Sequence, residues 1–105
     1  MNNALYSRSS GQGLDLVLLH GLFGQGTNLR SVARALEADF RVHCLDLPDH
    51  GRSAWLDTAS LAAYAAAVHG WMDQHELKAA HLLGHSLGGK VAMELALTEP
   101  ARVGK

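Results

Sequence analysis

Gly84-His85-Ser86-Leu87-Gly88 is the stretch of this 105-residue sequence that decides its fold. It fits the pattern G-x-S-x-G, and it lies between a short apolar segment, 80–84, and a segment with helical spacing, 87–97. A serine on a sharp turn from a strand into a helix is exposed, and glycines two positions to either side remove the side-chain clashes of such a turn. The stretch therefore predicts a strand, a tight turn and a helix, with Ser86 as a nucleophile.

The same turn predicts a place where negative charge can develop. A serine hydroxyl is a poor nucleophile in water, so it needs a base and hydrogen-bond donors for the oxyanion that forms when it attacks a carbonyl. The N–H of Leu87, at the start of the predicted helix, is placed to be one donor. The turn His20-Gly21-Leu22-Phe23-Gly24 is expected to supply the other, from Leu22, with Phe23 as second choice. The His20 side chain is expected to hydrogen-bond within its loop rather than to act as a base.

The rest of the chain alternates strands with helices. The apolar runs Leu14–Leu19 and Phe40–Leu45 predict strands, and the alanine-rich segment 60–75 predicts a helix. A further helix, capped by Thr27 or Asn28, is predicted between the two strands. Its apolar stripe consists of Leu29, Val32, Ala33, Leu36 and Phe40. This alternation predicts an α/β fold with a parallel sheet, helices on both faces, and a site at the carboxyl ends of the strands.

Composition narrows the classes of function. Nine Lys and Arg residues against ten Asp and Glu residues leave no basic excess for a dedicated nucleic-acid surface. No apolar run approaches the ~20 residues that span a bilayer, and residues 1–3 do not resemble the start of a signal peptide, so we expect a cytoplasmic protein without a membrane partner. A single cysteine, Cys44, excludes an intramolecular disulfide. We expect no metal, since His81 and His85 span a strand and its turn, and no cofactor.

Three ordered segments, 18–24, 46–53 and 84–90, together resemble the N-terminal part of an α/β-hydrolase, most closely the bacterial YbfF-type esterases. The resemblance implies a serine hydrolase of small ester or thioester substrates, with Ser86 as nucleophile and Leu22 and Leu87 as backbone oxyanion donors. It also implies that His50, Gly51 and Ser53 shape the floor of the site. Further residues expected to shape the site without reacting are His20, Gly21, Phe23, Gly84, His85 and Gly88, together with His50.

The triad partners of Ser86 are not found in the sequence that follows it. In this family the order is Ser, then Asp or Glu, then His, whereas residues 87–105 contain neither His nor Asp. Glu94 and Glu99 lie in or at the end of the predicted helix, away from any strand terminus. We therefore expect residues 1–105 to be the N-terminal part of a single hydrolase domain without its C-terminal strands, cap and catalytic His. Such a chain is expected to be inactive alone and to self-associate through an exposed sheet edge.

Other interpretations remain open from the sequence. Other α/β-hydrolase chemistry, such as that of lactonases, haloperoxidase-like enzymes and lyases, uses the same N-terminal motifs. A dinucleotide-binding βαβ unit would use Gly21, Gly24 and Gly26, with Asp46 as ribose ligand, although the spacing does not match G-x-G-x-x-G. A non-catalytic fragment is the third alternative. His85 adjoins Ser86, but neighbouring residues on a tight turn diverge, so a packing role is expected for it.

Overall fold

One sheet organises the computed structural model, which describes residues 5–21, 29–48 and 60–105. Its strands are Ser7–Ser10 (β1), Leu14–Leu19 (β2), Phe40–Leu45 (β3) and His81–Gly84 (β4). The helices are Arg30–Leu36 (α1), Leu61–Gln74 (α2) and Leu87–Thr98 (α3), followed by a 3-10 turn, Pro100–Arg102. The predicted α/β fold is confirmed, together with the predicted strands β2, β3 and β4 and helices α2 and α3.

The strand order is β1-β3-β2-β4, with β2 parallel to both β3 and β4. Leu19 on β2 is level with Leu45 on β3 and with Gly84 on β4. The carboxyl ends of the three parallel strands therefore meet at one edge, as the sequence predicts. Segments that follow these strands are brought side by side there.

Two features of the sheet differ from the prediction. The strand β1, of sequence Ser-Arg-Ser-Ser, pairs antiparallel with β3 and was not predicted, because it lacks the apolar alternation of a half-buried strand. Phe40 begins β3 and does not continue the apolar stripe of α1, which ends at Leu36. The residue before α1 is Leu29, whose side chain provides no cap, and the predicted caps Thr27 and Asn28 lie outside the described residues.

Helices cover both faces of the sheet. On one face, α3 packs on β2 and β4, and α2 packs beside α3 with Trp71 against His43 of β3; α1 packs on β3 from the opposite face. The helix α2 begins at Ser60, whose hydroxyl accepts a hydrogen bond from the Ala63 N–H at 3.0 Å. Its inward face carries Tyr64, Ala65, Val68, Trp71 and Met72. Burying a large apolar side chain stabilises the fold by roughly 1.5–3 kcal/mol, so this apolar face is what fixes α2 on the sheet.

Residues 103–105 run beside the outer edge of β4. Val103 forms a parallel bridge with Ala80, and the Gly104 N–H donates to the Ala80 carbonyl at 2.8 Å. Arg102 anchors this segment to α2, because its guanidinium lies 2.9 Å from an Asp73 carboxylate oxygen and donates to the Leu77 carbonyl at 2.6 Å. Part of the β4 edge that was expected to be open is therefore paired.

Candidate active site

Ser86 occupies the junction between β4 and α3 with a left-handed backbone. Its φ is 57° and its ψ is −114°, and the residue is exposed. A side chain in this region costs of order 1–3 kcal/mol, which is tolerated only where the surrounding structure enforces it. The structure thus places the predicted serine on a strained turn at the carboxyl edge of the sheet.

Gly84 and Gly88 are the residues that let the turn close. A Cβ on Gly84 would overlap the backbone of Gly88 and Gly89, and a Cβ on Gly88 would overlap the Leu19 carbonyl. The obstructing atoms are all backbone, so no side-chain rotation could make room. A Cβ on Gly89 would stand an ordinary 3.4 Å from the Gly84 oxygen. The close approach therefore occurs at Gly88.

Backbone hydrogen bonds hold the turn against β2. The His85 N–H donates to the Leu19 carbonyl at 3.0 Å, which extends the ladder between β2 and β4 by one residue. The Gly88 N–H donates back to the His85 carbonyl at 3.0 Å and closes the first turn of α3. Leu87 is the first residue of α3, where N–H groups have no acceptor inside the helix, and no described backbone carbonyl accepts its N–H. That N–H is available to a ligand beside Ser86.

His20 and Gly21, which follow β2, lie against the turn formed by residues 84–88, called the serine turn below. A Cβ on Gly21 would stand 3.1 Å from His85 Nδ1 and 3.4 Å from Ser86 Cβ. Gly21 and Ser86 are thus neighbours, although 65 positions separate them in the sequence. Leu22 and Phe23, the candidates for the second oxyanion donor, lie outside the described residues, as do His50, Gly51 and Ser53.

His20 joins the turn after β2 to the segment after β3. Its ring is 1% exposed; Nδ1 lies 2.7 Å from the Gly21 carbonyl oxygen, and Nε2 lies 2.9 Å from the Leu47 nitrogen. A carbonyl only accepts and an amide N–H only donates, so Nδ1 carries the proton and Nε2 is the acceptor. The contact to Gly21 is the expected one within the loop. The contact to Leu47 was not foreseen, since it depends on the level ends of β2 and β3.

A comparison with known protein families shows to which family this chain belongs. Residues 16–105 match a family described as alpha/beta hydrolase fold. The chain belongs to that family. The resemblance seen in the sequence is confirmed, and residues 20–24 lie within the segment that matches this family rather than a dinucleotide-binding one.

Individual hydrolases of known name are similar to this chain. It is 44% identical over all its 105 residues to the pimeloyl-[acyl-carrier protein] methyl ester esterase of Vibrio cholerae, and covers 40% of that protein. It is 43% identical over 96 residues to the sn-1-specific diacylglycerol lipase ABHD11 of Xenopus tropicalis, covering 90% of this chain and 30% of the lipase. A solved marine microorganism esterase superposes with a TM-score of 0.96 at 36% identity, over 99% of this chain and 40% of the esterase. The chain thus spans about 40% of the length of the first relatives it matches.

The other described histidines outside the serine turn are His43, His69, His75 and His81, and the first three form hydrogen bonds. His43 on β3 is buried; its Nε2 lies 2.8 Å from an Asp15 carboxylate oxygen and its Nδ1 lies 2.7 Å from the Ser9 hydroxyl. Burial lowers the pKa of His43 below its ordinary value, and the hydrogen bond to Asp15 opposes that shift. The His75 ring stacks on Trp71, with centroids 4.4 Å apart, and its Nδ1 donates to the Trp71 carbonyl at 3.0 Å.

His69 and His81 complete the set. His69 Nε2 accepts from the Arg102 guanidinium at 2.8 Å, which ties α2 to the 3-10 turn. His81 lies on β4, edge-on to the Phe40 ring with centroids 6.2 Å apart. Within the described residues, no group of three or more His, Cys, Asp or Glu side chains could hold a metal ion. No helix in this part of the chain is both long and apolar enough to cross a bilayer.

Proposed function

We propose that this chain carries the nucleophile and part of the oxyanion hole of a serine hydrolase that cleaves carboxylic ester bonds. The observation that carries the proposal is the left-handed backbone of exposed Ser86 at the turn from β4 into α3. A non-glycine residue is strained there, and the known use of such a turn is to present a nucleophile. The names of the Vibrio esterase and the Xenopus lipase both describe the cleavage of a carboxylic ester, which supports this bond as the target.

In the proposed reaction, Ser86 Oγ attacks the ester carbonyl carbon and loses its proton to a base. The carbonyl electron pair moves onto oxygen, and that oxyanion accepts hydrogen bonds from the Leu87 N–H and from the N–H proposed at Leu22. Collapse of the tetrahedral intermediate expels the alcohol, which takes up the proton from the base. Water then attacks the acyl-serine by the same route and releases the acid.

His20 is unsuited to be the base. Taking up a proton would place an Nε2–H against the Leu47 N–H, which donates to that nitrogen, so protonation would break the contact between the two loops. His20 instead holds Gly21, and with it the start of the proposed oxyanion loop, beside Ser86. We propose that the base and its acid are supplied from outside these 105 residues. A cytoplasmic location stays a prediction from the sequence.

The first test uses the 105-residue chain itself. Without a base, we expect hydrolysis of p-nitrophenyl butyrate by this chain to equal that by its Ser86→Ala variant, followed as p-nitrophenolate release. Turnover at rates usual for enzymes, lost in Ser86→Ala, would contradict the assignment of the base to another segment.

The second test supplies the remainder of a hydrolase. This chain replaces the aligned segment of the Vibrio cholerae esterase, to which it is 44% identical along its whole length. We expect the folded chimera to hydrolyse p-nitrophenyl butyrate, and Ser86→Ala to lower kcat by roughly 10³-fold or more. Ser31→Ala, an exposed serine on α1, is the matched control and should leave the rate unchanged. A folded chimera whose activity survives Ser86→Ala would overturn the proposal.

A further inference from the structure

A cavity of about 220 Å³ lies on the α1 face of the sheet, between β1, β3 and α1. Its lining includes three arginines, two carboxylates and one thiol: Arg8, Arg30, Arg34, Glu37, Asp46 and Cys44. In the strand order, β2 separates β3 from β4, the strand that leads to Ser86. The volume is below the roughly 300–1,000 Å³ of pockets for drug-sized ligands, so any ligand of this cavity is small.

The three arginines reach the cavity from two different elements. Arg8 comes from β1, whereas Arg30 and Arg34 lie one helical turn apart on α1. Among the described residues, the ion pairs of arginine are confined to Arg102, and no carboxylate lies within 4.0 Å of the cavity guanidinium groups. Three arginines therefore line one concave surface, and none of them forms an ion pair with a described residue.

The thiol of Cys44, on the floor of the cavity, is affected by the charges of two of these arginines. Burial raises the pKa of Cys44, while the positive charges of Arg30 and Arg8 act in the opposite direction. Since both arginines favour a negative charge at Cys44, their fields converge on the floor of the cavity. The thiol itself stays neutral and adds no competing charge.

The carboxylates of Asp46 and Glu37 reduce the positive potential of the cavity. Asp46 is buried next to β1, where its backbone N–H donates to the Tyr6 carbonyl at 2.9 Å, and its charge opposes that of the arginines at Cys44. Glu37 follows Arg34 by one helical turn and is half-buried in the same wall. Three positive charges face two negative ones, and Glu37 would repel an anion.

We propose that this cavity binds a small ligand through a phosphate group. An arginine fork donates two parallel hydrogen bonds to an oxyanion, and three forks from two elements match the several oxygens of a phosphate better than a single carboxylate. The site is independent of the proposed ester hydrolysis, because none of its lining residues belongs to the serine turn. Free phosphate and a phosphate monoester share the chemistry that the arginines recognise.

The test is calorimetric titration of the 105-residue chain with inorganic phosphate, phenyl phosphate and acetate in a buffer free of competing anions. We expect saturable binding of phosphate in the millimolar range or tighter, and binding of acetate at least about tenfold weaker. Phenyl phosphate binding more tightly than inorganic phosphate would identify a monoester as the ligand, and the reverse order would identify free phosphate. Either order supports the site.

Charge variants locate the binding. Arg30→Gln and Arg34→Gln should each weaken phosphate binding by roughly tenfold. Glu37→Gln should strengthen it, because it removes a repelling carboxylate. Arg41→Gln, an exposed arginine on β3 outside the cavity, is the matched control and should bind as the parent does. Circular dichroism confirms that each variant is folded. An absence of saturable phosphate binding, or an equal loss in Arg41→Gln, would overturn the proposal.

Discussion

Two buried histidines show how differently two regions of the sheet are held. At the carboxyl ends of the strands, both ring nitrogens of His20 contact backbone groups, Gly21 and Leu47. In the middle of the sheet, both ring nitrogens of His43 contact side chains, Asp15 and Ser9. Asp15 accepts from Nε2 and Ser9 donates to Nδ1, so the neutral His43 is the opposite tautomer to His20.

This difference between the partners of His20 and His43 indicates which region of the sheet can respond to a change in protonation. Around His20 and Gly88 the partners are carbonyl and amide groups, which neither titrate nor move without moving a strand. Around His43 the partner Asp15 is a carboxylate that can stabilise an added proton, so this region can respond gradually to pH. The serine turn thus lies in the region where the described contacts of the buried histidine are to backbone groups.

A substitution of Gly88, where α3 approaches the carboxyl end of β2, should lower the free energy of unfolding most. In Gly88→Ala the new Cβ would overlap the Leu19 carbonyl and lie 2.7 Å from the His20 oxygen, so α3 must move off the sheet. We expect the free energy of unfolding to fall by about 3 kcal/mol or more. Urea denaturation followed by circular dichroism measures this.

Gly70→Ala is the control for that substitution. Gly70 lies inside α2 with no atom within 4 Å of a new Cβ, so alanine should stabilise the chain by about 0.5–1 kcal/mol. Equal changes in Gly88→Ala and Gly70→Ala would show that the close approach of Gly88 to β2 is not a constraint.

Removing the His20 ring should have the next largest effect. His20→Ala leaves the buried Leu47 N–H without its acceptor, which costs about 1–3 kcal/mol in addition to the cavity created. His20→Gln, whose side-chain oxygen can accept from that N–H, should recover part of the loss. Urea midpoints of the two variants give the comparison; a His20→Ala chain as stable as the parent would show that the contact between the loops contributes nothing.

The smallest expected effect is the contribution of His43 to the pH dependence of the free energy of unfolding. It tests whether His43 differs from His20 as its side-chain partners predict. Since the pKa of His43 is lowered in the folded chain, the unfolded chain binds more protons between the folded pKa and about 6.5. Stability is therefore greatest above pH 6.5 and should fall as the pH drops through the folded pKa, with a slope of at most about 1.4 kcal/mol per pH unit for one proton. The measurement is the free energy of unfolding against pH for the parent and for His43→Gln.

In His43→Gln the part of this slope that comes from His43 should disappear. Asp15, Arg41 and His75 also face the ring, so only the difference between the two curves is attributed to His43. Superimposable curves for parent and variant would mean that His43 does not couple folding to pH.

Much of the fold could be predicted because local pattern and tertiary role agree. The apolar runs of β2 and β3 are buried where they pair, and the stripe on α2 faces the sheet. The polar strand β1 could not be predicted, because its place comes from pairing with β3 and from two hydroxyl contacts, Ser7 with Trp71 and Ser9 with His43. A serine in a sequence gives no sign of such a distant partner.

The candidate site likewise has features that the sequence predicts and features that it does not. One local motif predicts the positions of Ser86, Gly84 and Gly88, although the close approach that requires Gly88 is to Leu19 on β2. The link from His20 to Leu47 joins loops after two separate strands and depends on their register, which no local pattern encodes. The cavity arginines likewise come together only once β1 and α1 lie on either side of Cys44.

The backbone of Ser86 also bears on how this sequence can evolve. Glycine adopts a positive φ without a steric penalty, whereas serine at φ 57° does not. Selection for thermal stability alone would therefore favour glycine at position 86 and discard the hydroxyl. A library screened only for folding would lose the proposed nucleophile, so screens of this chain need to select for chemistry and stability together.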